Sequence, residues 1–256
     1  MLNNLSNPLT VFALGCHPDD IEFMMGGTLF VLKELGFEIH YMNLANGNCG
    51  TMKYSKKKIV KIRAQEAQTA AKLLGATWYP SLYNDMEITY QVKIIKKILS
   101  IMRKIQPDIV LIPSLKDYME DHMNTARIAV SAAFALPMIN FSAIPPIKPV
   151  SKEIALYHAM PYGLHDGLSE KIKPHFYIDI SKVIDKKEAM LACHESQRIW
   201  LDKSQKQDSY LQTARDMSKQ MGIDSKKYEF AEGWIRHNPL GYSSKEFAPL
   251  ENVANT

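Results

Sequence analysis

Short apolar runs of strand length alternate with longer amphipathic stretches through the first half of the chain. Residues 9–14, 37–44, 76–79 and 108–113 read as strands. Between them, 28–35, 55–74 and 89–105 carry helical periodicity, and 125–136 adds a fourth helix. Gly26-Gly27 opens the first helix, Ser55 caps the second, and Gly36, Gly75 and Pro107 supply stops. The run 108–113 is almost wholly apolar, as a central parallel strand requires. Strands alternating with helices predict an α/β, Rossmann-like doubly wound, mostly parallel sheet with helices on both faces. The second half is less regular. Residues 139–149, with Pro145, Pro146 and Pro149, read as a loop, and 154–158 and 176–180 as short strands. A helix starting at Ser181 carries 193–197, another spans about 205–221, and 231–237 is a late strand or a substrate-facing loop. No linker composition interrupts the chain, so 1–256 is expected to form one domain.

That topology gives the polar residues after each strand a common location, because open α/β sheets bind ligands beyond the carboxyl ends of their strands. His17-Pro18-Asp19-Asp20 follows the first strand. His17 and Asp20 suit Zn²⁺ or a similar divalent ion, and Asp19 is left beside it as a candidate base. The same four residues also read as a polar turn in which Asp19 or Asp20 caps the next helix. Asp121-His122 follows the fourth strand, reaches the same edge, and offers His122 as a third ligand, which favours the metal reading. Asp121 reads as a residue behind the ligands that orients His122 or a neighbour. Arg63 and Glu66 share one face of the second helix. They form either a surface ion pair of little value or a site where Arg63 holds a polar substrate group. The glycine-containing loop 45–50 lies at the same edge.

Composition narrows the setting. Of 256 residues, 46% are hydrophobic and 23% charged, the balance of an ordinary globular protein. The net charge of +4 allows an anionic substrate without calling for nucleic acid, so no nucleic-acid partner is expected. No apolar run is long enough for a membrane span. No basic residue precedes the first apolar stretch, and three cysteines are too few for a disulfide framework, so a cytoplasmic location is expected. Cys16 and Cys193 each precede a histidine, yet read as small core residues.

His17-Pro18-Asp19-Asp20 with Glu22 and Gly26-Gly27, Arg63-x-x-Glu66 with Ala70-Ala71 and Leu74-Gly75, Pro107-Asp108-Ile109-Val110 and Asp121-His122 together resemble the PIG-L/LmbE-like family of metal-dependent N-acetylglucosaminyl deacetylases. Ile178-Asp179-Ile180-Ser181, Lys186-Lys187, Ser196-Gln197 and Ala231-Glu232-Gly233 are similar to the bacterial thiol-biosynthesis (bacillithiol-type) branch. The resemblance implies His17, Asp20 and His122 as zinc ligands, Asp19 as general base, Arg63 as a substrate-binding residue, and a homo-oligomer. Two histidines and an aspartate with open positions would also suit Fe²⁺. The implied reaction removes an acetyl group from an N-acetylated amino sugar or its conjugate, using metal-activated water and Asp19 to move the proton.

One position departs from the pattern. The family reads His-x-Asp-His where this chain has Met119-Glu120-Asp121-His122. A thioether donates no hydrogen bond, so the histidine that the family uses to stabilise the oxyanion is missing. Three consequences are open: another donor substitutes, the metal alone carries the charge, or the chain binds a sugar or metal without turnover. His194, His158 and Tyr118 are candidate donors, with His194 assigned to substrate binding. A deacylase of another N-acyl amine is a further alternative. His237, close to Trp234 and Arg236, is a candidate for a region that closes over the sugar.

Overall fold

The computed structural model describes residues 8–204 and 210–255. Seven strands, β1 (Thr10–Gly15), β2 (Glu38–Asn43), β3 (Thr77–Tyr79), β4 (Ile109–Ile112), β5 (Ala155–Ala159), β6 (Phe176–Asp179) and β7 (Ala231–Arg236), lie in the order β3-β2-β1-β4-β5-β7-β6. Every neighbouring pair from β3 through β5 is parallel, and β7 runs antiparallel to both β5 and β6. The predicted doubly wound, mostly parallel sheet is the sheet that forms. Every residue of β4 is buried, as its unbroken apolar run demands.

Helices α1 (Asp20–Glu34), α2 (Lys56–Leu74), α3 (Val92–Ile105), α4 (Glu120–Phe134), α5 (Ile184–Leu191), α6 (Glu195–Ser204), α7 (Tyr210–Ser225) and α8 (Pro249–Ala254) cover the two faces. Strand alternation divides the core between them. Val11, Ala13, Ile39 and Tyr41 join the layer under α1 and α2, whereas Phe12, Leu14, Met42 and Val110 join the layer under α3 and α4. The strand order reverses between β1 and β4, and the crevice at that point lies beyond Gly15 and Ile112. It is the expected ligand position of such a sheet.

Four expectations change. Gly26-Gly27 does not open α1, which begins six residues earlier at Asp20. The glycines serve packing instead: a Cβ on Gly27 would stand 2.7 Å from Ile180. Beside them the Glu232 carboxylate, on β7, accepts the N–H groups of Gly27 (2.9 Å) and Thr28 (2.7 Å) and the Lys187 ammonium (2.8 Å). Likewise α4 starts at Glu120, which puts His122 in its first turn. The helix expected from Ser181 is a 3-10 turn followed by α5, then a break before α6; the completely buried His194 sits in that break, with Nε2 2.9 Å from Glu22 Oε1. The expected start of the next helix at about 205 lies outside the described residues, and its described part runs on to Ser225.

His158, on β5, is buried, with Nδ1 2.9 Å from the Pro113 carbonyl and Nε2 3.0 Å from His237 Nδ1. Burial, aided by His237, pushes its pKa down to about 4. The unfolded chain therefore takes up this proton first, so its contribution to stability is present above pH ~6.5 and is lost as the pH falls towards 4. Denaturant midpoints measured between pH 7 and 4 should decline, and His158→Gln should flatten that decline.

Candidate metal centre and its cavity

The turn after β1 is built around one carboxylate oxygen. Asp20 Oδ2 accepts the backbone N–H groups of Cys16 (3.1 Å) and His17 (2.7 Å), while Asn43 Nδ2 donates to the His17 carbonyl at 2.7 Å. The turn closes at Asp19, whose φ of 118° lies in the left-handed region. For a non-glycine residue that costs on the order of 1–3 kcal/mol and persists only where the surroundings impose it. The surroundings are specific: Tyr210 donates to Asp19 Oδ2 at 2.7 Å, and Arg63 Nη2 lies 3.4 Å from Oδ1 while donating to the Pro18 carbonyl.

His17 Nδ1, Asp20 Oδ2 and His122 Nε2 converge. Their separations are 3.3 Å between the two nitrogens, 3.7 Å from His17 to Asp20 and 3.4 Å from His122 to Asp20. Ligands ~2.0–2.2 Å from a tetrahedral ion stand roughly 3.3–3.6 Å apart, so this donor set fits a divalent metal. Each imidazole also has its outer nitrogen on a carboxylate: His17 Nε2 lies 3.3 Å from Asp121, and His122 Nδ1 lies 3.1 Å from Asp117. That arrangement fixes the ring orientation and raises ligand basicity. Cys16 Sγ belongs to the same cluster, 3.8 Å from His17 Nε2, the nitrogen turned towards Asp121. Burial pushes its thiol up to about 11.

The electrostatics separate the two adjacent carboxylates. Burial works against ionising Asp20, but His122 and His17 outweigh it and hold Asp20 well below the ordinary range. At Asp19 burial wins and raises the pKa, with Asp20 adding to it; Arg63, His194 and the Tyr210 hydroxyl pull the other way. A carboxylate with a raised pKa beside a metal site is suited to receive a proton and give it back.

These groups face a cavity of about 330 Å³. His17, Asp19, Asp20, Arg63 and His122 line it, and Asp121 stands behind His17 rather than behind His122. Of the candidate donors, Tyr118 lines the cavity with its ring edge-on to His122, at 5.8 Å between centroids. Met119 lines it as well. His194 lies beneath the site against Glu22, and His158 and His237 pair with each other away from the described wall. The Arg63–Glu66 ion pair is replaced by separate partners: Glu66 accepts the N–H and hydroxyl of Ser196. Arg63 instead threads through the 45–50 loop, where a Cβ on Gly47 would stand 2.4 Å from its Cδ and one on Gly50 2.6 Å from its Nη1. Asp85 holds that loop by accepting the N–H groups of Gly47 (2.7 Å) and Cys49 (2.9 Å).

Sequence reasoning missed Asp117, Asp85 and Tyr210. Asp117 had a signal, a carboxylate five residues ahead of His122 in a polar run. Tyr210 had none, since 191 residues separate it from Asp19.

Residues 12–133 match the model of the PIG-L family, described as GlcNAc-PI de-N-acetylase. The diacetylchitobiose deacetylase of Thermococcus kodakarensis is 29% identical over 194 residues, covering 73% of this chain and 69% of that protein. The crystal structure of the N,N'-diacetylchitobiose deacetylase from Pyrococcus horikoshii superposes with a TM-score of 0.77 at 26% identity, covering 97% of this chain and 93% of that one. The 4-oxalmesaconate hydratase of Pseudomonas putida is 25% identical over 207 residues, 77% of this chain and 78% of that protein.

Proposed function

From the match of residues 12–133 to the PIG-L family model and the geometry of the site, we propose that the chain is a zinc-dependent hydrolase of that family, which removes the acetyl group from an N-acetylglucosamine-type substrate. The observation that carries this reading is the convergence of His17, Asp20 and His122 with a further carboxylate, Asp19, beside them on the cavity wall. A zinc ion held by the three ligands would acidify a water and polarise the acyl carbonyl. Asp19 accepts the proton as the water attacks and returns it to the departing amine. Tyr210 and Arg63 engage one oxygen each of Asp19, which fixes the plane of the base. Arg63, expected to hold a substrate group, is instead engaged by Asp19 and the Pro18 carbonyl, and the cavity wall positions the sugar. Tyr118 is the candidate that supplies a hydrogen bond to the developing oxyanion, because it is on the wall and Met119 donates nothing. Among the described residues no helix is long and apolar enough to cross a membrane.

The hydratase relative suggests a second reading, addition of water to an unsaturated carboxylate. The cavity favours the sugar. Arg63 is the one cation on its described wall, and Asp19 and the Pro18 carbonyl already hold it.

The test is primary-amine release by zinc-loaded protein from a panel of N-acetylglucosaminyl compounds, including thiol-precursor-type glycosides with acidic aglycones. Release that a chelator abolishes and zinc restores is the expected result. No release across the panel, with stoichiometric metal bound, would instead make the chain a binding protein. Met119→His should raise kcat, by up to the 10²–10³-fold that a lost oxyanion donor costs elsewhere. An unchanged kcat with metal still bound would mean that the role is already filled.

A further inference from the structure

The polar groups of the cavity are gathered around the three metal-ligand candidates, while Phe23, Met24, Met86, Tyr118, Tyr162 and Trp200 supply much of the remaining described wall. Two of these apolar residues stand at its mouth, since they line it while remaining exposed: Met86 at 74% and Tyr118 at 52%. Exposed apolar side chains on the wall of a site offer contact surface to an apolar part of its ligand. Met86 is also strained. Its φ is 64°, in the left-handed region, although it is not glycine. Its N–H is held at 2.6 Å by Asp121 Oδ2, the same oxygen that faces His17 Nε2. That hydrogen bond accounts for the turn, and it leaves the Met86 side chain exposed at the mouth.

Charge narrows the ligand further. Three carboxylates, those of Asp19, Asp20 and Asp85, lie on the described wall, and its one cation, Arg63, is engaged. With an ion on His17, Asp20 and His122 and with Asp85 accepting two backbone N–H groups, these charges are largely offset. An anionic substituent at the mouth would nevertheless find no unengaged side-chain cation on the described wall to pair with. We propose that the amino sugar bound here carries an uncharged, apolar aglycone, aryl or alkyl, which packs on Met86 and Tyr118. The inference rests on the deacetylase reading for the sugar and on the mouth alone for its substituent.

Calorimetry on zinc-loaded Asp19→Asn protein measures binding apart from turnover. The ligands are N-acetylglucosamine, its phenyl glycoside, a glycoside with a carboxylate-bearing aglycone, and N-hexanoylglucosamine. The phenyl glycoside should bind about tenfold or more tighter than the free sugar, the scale of burying roughly two methylenes, and the carboxylate glycoside weaker than the phenyl one. Met86→Ser should remove most of that gain while leaving the free sugar's affinity in place. Equal binding of carboxylate and phenyl glycosides, an undiminished preference in Met86→Ser, or tighter binding of the N-hexanoyl sugar than of the phenyl glycoside would each overturn the proposal. Amine release by the wild-type protein separates the two readings. Release without any phenyl preference removes the apolar subsite and keeps the deacetylase, whereas a phenyl preference without release does the reverse.

Discussion

Asp19→Asn should retain its metal and lose about 10²–10⁴-fold in kcat, the range that general-base catalysis contributes. The substitution is close to isosteric, and the amide oxygen can still accept from Tyr210, so the turn before α1 keeps its shape. What disappears is the ability to take a proton. The carboxylate that loses it has a pKa raised by burial and by its neighbour Asp20, which matches it to the cycle of accepting a proton and returning it. Kinetics on zinc-loaded protein, paired with metal analysis of the same sample, checks this. Unchanged turnover would remove Asp19 from the chemistry and leave it a strained turn residue.

The second large effect is loss of the metal itself. His122→Ala deletes one of three converging donors and should abolish both stoichiometric zinc and turnover, since two remaining ligands seldom retain the ion against dialysis. Asp117→Asn makes the graded comparison. It leaves all three donors in place and weakens the hydrogen bond that aims His122, at 3.1 Å in the structure. Removing such a partner elsewhere costs about 10–100-fold in metal affinity. Competition with a chromophoric chelator should rank wild type, Asp117→Asn and His122→Ala in that order. Retained zinc in His122→Ala would mean that the donors lie elsewhere, and equal affinity in Asp117→Asn would reduce that carboxylate to a turn acceptor.

Much of this was legible because alternation of apolar runs and amphipathic helices fixes the strands, and the strands fix where their following residues meet. His17 and His122 are 105 positions apart, yet both follow strands adjacent in the sheet, so topology alone brings them to one edge. The double glycine misled because Gly26-Gly27 reads locally as a helix boundary, whereas its reason is the side chain of Ile180 on another element. His194 misled in the opposite direction. It is offered as an oxyanion donor and substrate-binding residue, but its ring is completely buried against Glu22. Tyr210 on Asp19 and Glu232 on α1 come from the last quarter of the chain, and no local pattern encodes a contact of that span.

The Glu232 carboxylate on Gly27 and Thr28 makes the order of synthesis matter. The turn carrying His17 and Asp20 leaves the ribosome first, but the clamp on the helix behind it arrives 205 residues after Gly27, and Tyr210 reaches Asp19 across 191. Such closures carry a large loop entropy and form late. A nascent chain can therefore expose two histidines and an aspartate long before β7 pairs between β5 and β6, and any ion captured then would sit in a half-built shell. The acidic side chain of one late strand thus closes last on the helix behind the candidate centre.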